Sequence, residues 1–152
     1  MENFLLQREL TISCSRTERG KHMQLGIRLH DIKKAPLEER LAIAKEQGFL
    51  CGHLALSKVI TEYPVDDGAL TPGYAMYLKK IFAKNDLDIA VLGCYLNLAN
   101  PDEGQLAKIT HRYLAHIRFA SLLGVGVVGR ESGAVNEAYR FEEKNHSDRE
   151  LN

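Results

Sequence analysis

Apolar and polar positions along this chain change period several times after Met23. The run QLGIRL over 24–29 predicts a strand, followed by a loop at His30, Asp31 and Ile32. Over 36–47 the spacing becomes helical, with Leu37, Leu41 and Ala44 on one face and Glu38, Glu39, Lys45 and Glu46 largely off it. Pro36 suits a first helical position, where its missing N–H is no loss, and Gly48 suits the left-handed residue beyond the helix end. A second strand is predicted over 51–56. A loop holding Pro64, Asp66, Asp67 and Gly68 then leads to Thr71-Pro72, a cap followed by proline, which starts a helix running to Lys84. Ala75, Leu78 and Phe82 face inward, and Asn85 ends it.

The run over 89–96 is nearly all apolar, the pattern of a central parallel strand covered on both faces. Asn100-Pro101 predicts another cap, opening a long helix with Leu106, Ile109, Tyr113, Ile117 and Ala120 as its buried stripe and an end near Gly124. A fourth strand over 125–129 delivers Arg130, Glu131, Ser132 and Gly133 into a loop. The order β-α-β-α-β-α-β, with connections long enough for right-handed crossovers, predicts an α/β fold with a parallel sheet. Periodicity alone leaves two architectures, an open doubly wound sheet and a (β/α)8 barrel.

Residues 1–22 lack this pattern and read as an N-terminal extension, either a start assigned upstream of Met23 or a short disordered or helical arm. The domain is expected over 23–145, with a polar tail at 146–152. The sequence has 20 Lys+Arg against 20 Asp+Glu, so no overall field favours nucleic acid or an anionic membrane. No apolar run approaches the roughly 20 residues of a membrane-spanning helix, and no secretory signal pattern opens the chain. Cys14, Cys51 and Cys94 are scattered and odd in number, which suits reduced thiols and a cytoplasmic location.

Candidate chemistry gathers past the strand ends, where parallel α/β proteins bind ligands. His30 and Asp31 follow the first strand, Asn97 and Asn100 the third, and Arg130 and Glu131 the fourth; His53 lies inside the second. His30, His53, Asn97 and Glu131 are the expected substrate-binding residues. Three of the four have a plainer reading: a loop cap for His30, a core imidazole for His53, a salt bridge with Arg130 for Glu131. Tyr95 is expected to pack and Asn100 to cap the long helix. Gly124-Val125-Gly126-Val127-Val128-Gly129 spells GxGxxG, but a helix precedes it and a strand overlaps it, the reverse of a dinucleotide-binding turn. Gly124 therefore reads as a helix cap, and Gly126 and Gly129 as close-packing strand positions. His111 and His116, five apart, do not have the spacing of a metal pair and are expected at the surface.

The blocks Gly26-Ile27-Arg28-Leu29-His30-Asp31, Val91 to Pro101, and Gly126 to Gly133 together resemble the xylose-isomerase-like TIM-barrel family of sugar phosphate isomerases and epimerases. The resemblance spans about 23–145. Its third block departs from the G-T-E-T-G that relatives tend to show at Arg130 and Ser132, around the retained Glu131.

The resemblance implies a (β/α)8 barrel in which a divalent metal polarises a small sugar or sugar phosphate while acid/base groups move a proton between adjacent carbons. Family metal ligands are expected mainly on later strands, so none is assigned here and this chain alone is expected to bind no metal. Endonuclease IV shares the fold, yet a basic DNA-facing stripe is missing. Four strands are about half a barrel, which predicts a truncated or incomplete catalyst. The alternatives are a missing C-terminal half supplied by a second polypeptide, self-association of two copies, or a non-catalytic sugar-binding module.

Overall fold

The computed structural model describes residues 23–130 and 133–136; the N-terminal extension, Glu131 and the polar tail lie outside them. Four strands, β1 (Gly26–Arg28), β2 (Cys51–Ala55), β3 (Asp88–Gly93) and β4 (Val128–Gly129), form one sheet in the order β1-β2-β3-β4 with every pairing parallel. Between them run α1 (Leu37–Glu46), the single turn α2 (Leu56–Val59), α3 (Pro72–Lys84) and α4 (Glu103–Leu123).

All four helices contribute to one core with Leu29, Leu54 and Leu92 from the sheet region. Each fully buried Leu or Phe contributes roughly 1.5–3 kcal/mol, so this single cluster dominates the stability. On the other side of the sheet Gly26, Arg28 and Asp88 are exposed and Val127 beside β4 is 52% exposed, while Cys51 and Ala55 of β2 are buried. Strands adjacent in sequence are thus adjacent in space, and the helices serve one face. Successive units of a (β/α) barrel wind this way, whereas a doubly wound sheet reverses its strand order and covers both faces. The four described strands do not close.

Local signals account for most boundaries. Thr71 Oγ1 accepts from the Tyr74 amide with Pro72 opening α3, and Ala75, Leu78, Ile81 and Phe82 are buried. Gly48 and Gly124 take φ of +84° and +76° at the helix ends. Pro36, however, is the residue before α1 and brings no side-chain cap; Glu62 Oε1, 25 residues on, accepts from the Leu37 amide at 2.8 Å.

Other expectations are corrected. The first strand ends at Arg28, and Leu29–Asp31 forms a 3-10 turn. The third strand is central in order, with neighbours on both edges, but is not buried throughout: Leu92 is fully buried while Ala90, next to the register irregularity against β2, is exposed. Asn100 does not cap α4. Asp102 does, accepting from the Gln105 amide at 2.6 Å, while Asn100 Oδ1 accepts from the Asp102 amide. Gly129 is a close-packing position, since a Cβ there would lie 2.9 Å from Val91 Cγ1, but Gly126 has open space around it.

Within α4 the buried residues are His116, Phe119, Ala120 and Leu123, while Ile117 is 43% exposed. The flank carrying Leu122 and Arg112 faces α3 and the loop before it, with Leu122 beside Met76 and Ala83 and Arg112 donating to the Val65 carbonyl. Leu106 and Tyr113 are half-buried beside exposed Ile117, so the apolar stripe is wider than its cover among the described residues. His116 is buried rather than at the surface, its Nδ1 donating to the Arg112 carbonyl at 2.9 Å. Cys51 and Cys94 are free and buried. No helix of the described residues is long and apolar enough to cross a membrane.

Candidate functional site

Parallel strands bring their C-terminal ends to one edge, and alternation brings every second residue to one face. Arg28 of β1 stands in register with His53 of β2, which stands in register with Val91 of β3. Two residues beyond Arg28 comes His30, and two beyond Gly93 comes Tyr95. The three rings meet there. His30 and His53 have centroids 5.6 Å apart at 83°, His30 and Tyr95 are 5.7 Å apart at 87°, and His53 and Tyr95 are 5.9 Å apart.

The turn that carries His30 is clamped from α1. Arg40, only 2% exposed, donates from Nη1 to the Leu29 carbonyl at 3.0 Å and from Nε to the Ala35 carbonyl at 2.8 Å. Leu29 is fully buried in the core below. With Leu29 fixed inward, the next residue is carried toward the strand-end edge. Room for His53 comes from Gly93, where any Cβ would collide with Nε2 of the imidazole.

Around the rings the charges are arranged at the rim. Arg28 and Asp31 pair at 2.7 Å, and Lys58 of α2 holds its Nζ 3.7 Å from the centroid of Tyr95. Burial holds the His30 imidazole below its ordinary pKa, with Lys58, Arg28 and Arg40 adding to the effect and Asp31 opposing it. His53 is lowered chiefly by burial too, then by His30, Arg28 and Lys58. The Arg28 hydrogen bond holds the Asp31 carboxyl below the usual range. Both imidazoles are therefore neutral near pH 7, each able to donate from one nitrogen and accept at the other. His30 Nδ1 and His53 Nε2 are buried and make no hydrogen bond among the described residues.

The structure brings two of the four expected binding residues together, His30 and His53. Asn97 is engaged elsewhere. Its Nδ2 donates to the carbonyls of Ala134 and Asn136, and its Oδ1 accepts from the amides of Ala99 and Ala134. That uses its whole amide capacity to tie the loop after β3 to the segment after β4. Glu131 lies outside the described residues. Sequence reasoning missed Lys58, because the single turn α2 that carries it was read as part of the loop after the second strand. Tyr95, expected only to pack, forms one wall of the cluster.

The metal that the family resemblance implies needs carboxylates and imidazoles converging on one point. The described residues offer two imidazoles and a carboxylate already bound to Arg28, and no group of three or more His, Cys, Asp or Glu able to hold a metal ion occurs among them. This donor set does not fit such a centre. No family model matches the chain, and no curated protein matches it significantly.

Proposed function

We propose that this chain is a sugar phosphate isomerase/epimerase-like protein of the cytoplasm, whose strand-end edge binds a small sugar or polyol. One observation carries the reading: two neutral, half-buried imidazoles converge at the C-terminal edge of a sequentially wound parallel sheet, with one nitrogen on each lacking a protein partner among the described residues. Half-buried neutral rings offer an N–H donor and a lone-pair acceptor that a ligand hydroxyl can engage. Vicinal hydroxyls suit a pair of imidazoles because each hydroxyl both donates and accepts, as each neutral ring does.

Ligand binding is the activity that His30 and His53 support. Isomerisation by proton transfer between carbons further calls for an acid/base group and an electrophile at the reacting carbons, supplied by additional barrel units. Such units would lie against the exposed sheet face and the open edges of β1 and β4, contributed by a C-terminal half or by a second copy. The sugar-binding module without catalysis is the second reading, since ligand binding is what His30 and His53 support by themselves.

The test is calorimetric and NMR titration of the full chain with a panel of aldoses, ketoses and their phosphates, repeated on His30→Ala and His53→Ala. Saturable binding that weakens about tenfold or more in both variants is expected from the loss of a buried hydrogen bond. A panel in which nothing saturates, or folded variants that bind like the parent, would overturn the proposal. An isomerisation assay with metal analysis separates the two readings.

A further inference from the structure

We infer that two copies of this chain close into one ring, the β1 edge of each pairing with the β4 edge of the other. Assembly is read by mass and ligand binding by titration, so this pairing stands or falls apart from the sugar reading. Among the described residues β1 and β4 each have one strand neighbour in the sheet. The Leu25 carbonyl accepts from the Leu50 amide on the β2 side, and the Val127 and Gly129 carbonyls accept from the Leu92 and Cys94 amides on the β3 side. Backbone groups alternate sides along a strand in a parallel sheet, so those of Gly26 and Val128 point outward at the two edges. All four strands run the same way, so a two-fold axis along them sets β4 of one copy beside β1 of the other, in parallel and at both seams. Joining like edges would leave one edge of each copy open. Two sets of four make eight, the number at which parallel strands close round an interior that side chains fill.

The sheet face opposite the helices is built for an interior. A Cβ on Gly26 would meet Cys51 Sγ, one on Gly93 would meet His53 Nε2 and Ala55 Cβ, and one on Gly129 would meet Val91 Cγ1, so these residues share that face. A Cβ on Gly52 would instead meet Leu29, in the core on the other side. Along each strand of the face a small residue follows or precedes a larger one: Gly26 and Arg28, His53 and Ala55, Val91 and Gly93, Val127 and Gly129. Interiors of small barrels are filled by the same alternation. Cover is thinnest beside the two edges, where Gly26 and Arg28 are exposed and Val127 is 52% exposed, whereas Ala55 between them is 0% exposed. Closure leaves no lone charge inside at β1, because Arg28 is already paired with Asp31 at 2.7 Å. Exposed Asp88 opens β3 and would stand in water at the mouth opposite the strand ends. At the strand-end mouth, each cluster of His30, His53 and Tyr95 gains a symmetry mate across the same opening.

Sedimentation equilibrium and light scattering of the full chain over a wide range of concentration test the pairing. The parent should reach twice its chain mass and no more. Val128→Pro removes an outward N–H and no bond to β3, so the single copy keeps its fold. Val127→Lys puts an ammonium inside the closed ring but in open water on a single copy. Each variant should show the circular dichroism of the parent and self-associate about tenfold or more weakly. A parent that stays a single copy overturns the inference, and hydrogen exchange at the Val128 amide then tells a segment of the same chain on that edge from an edge left in water. Masses that grow past two chains mean an unclosed array and overturn it too. So does a dimer that both folded variants retain, which would join the copies through another surface, such as exposed Met76 and Leu122. If Val128→Pro does not fold, Val127→Lys decides alone.

Discussion

A Cβ on Gly93 would occupy the space of His53 Nε2 and stand 3.1 Å from the Cβ of Ala55. The imidazole reaches the strand-end edge across β3 because the neighbouring strand carries no side chain at that level. Gly93→Ala should push His53 aside and cost about 1–3 kcal/mol by overpacking. Urea unfolding measures the loss, and displaced His53 imidazole resonances report the movement. A variant as stable as the parent, with unchanged resonances, would show that the two residues are not in contact.

The loop after β3 and the segment after β4 are joined by one side chain, Asn97. Asn97→Ala leaves the Ala134 amide and the carbonyls of Ala134 and Asn136 without this partner, an expected cost of about 1–3 kcal/mol. Asn97→Asp should cost more, since a carboxylate would face two carbonyl oxygens. Hydrogen exchange at Ala134 should accelerate in both.

Glu62 caps a helix to which it is not local. Its carboxylate accepts from the amides of Leu37 and Thr61 and is held below the ordinary 4.5 by the hydrogen bonds of Leu37 and Thr61, against the opposing effect of burial. Glu62→Ala should lower stability by about 0.5–2 kcal/mol in urea unfolding, the range of a lost helix cap. A smaller loss is expected for Glu62→Gln, which keeps an acceptor oxygen.

Three imidazoles set a pH dependence. Burial holds His30, His53 and His116 below the ordinary 6.5. The unfolded chain takes up protons at these positions before the folded chain does, so their contribution is complete above that value and is lost as pH falls below it toward the folded pKa. Asp31 and Glu62 are also held low, below 3.8 and 4.5, and their contribution goes only on stronger acidification. The melting temperature should therefore start to fall as pH drops through about 6.5, well above the carboxylate range. His116→Gln should flatten that first phase, and a parent melting temperature constant between about pH 8 and 5 would contradict the sign.

Along α4, Phe119 at 1% exposure and Ile117 at 43% sit two residues apart. Phe119→Ala should cost about 3–5 kcal/mol in denaturant unfolding. Ile117→Lys should stay within about 0.5 kcal/mol of the parent in a dilute monomer, because a surface exchange empties no cavity. A large loss for Ile117→Lys would mean that the flank is covered.

The sequence alone determined the class of fold, the start of α3 and the ends of α1 and α4. The cap at Thr71, the left-handed glycines Gly48 and Gly124 and the apolar face of Leu37, Leu41 and Ala44 are local features, set by spacing and backbone stereochemistry, and they stand in the structure as read. His30 was legible as a candidate past a strand end and His53 as a candidate inside the second strand, because a polar ring at either place stands out against the apolar pattern. Only tertiary structure decided that one sheet face is covered by the helices and the other is left partly exposed among the described residues, that Ile117 lies outside while His116 lies inside, and that Glu62 caps α1 from a distant loop. The same holds for Asn97 as a tie between loops and for Lys58 over Tyr95. These depend on which elements become neighbours, and a one-dimensional pattern records how much apolar surface an element has but not what is placed against it.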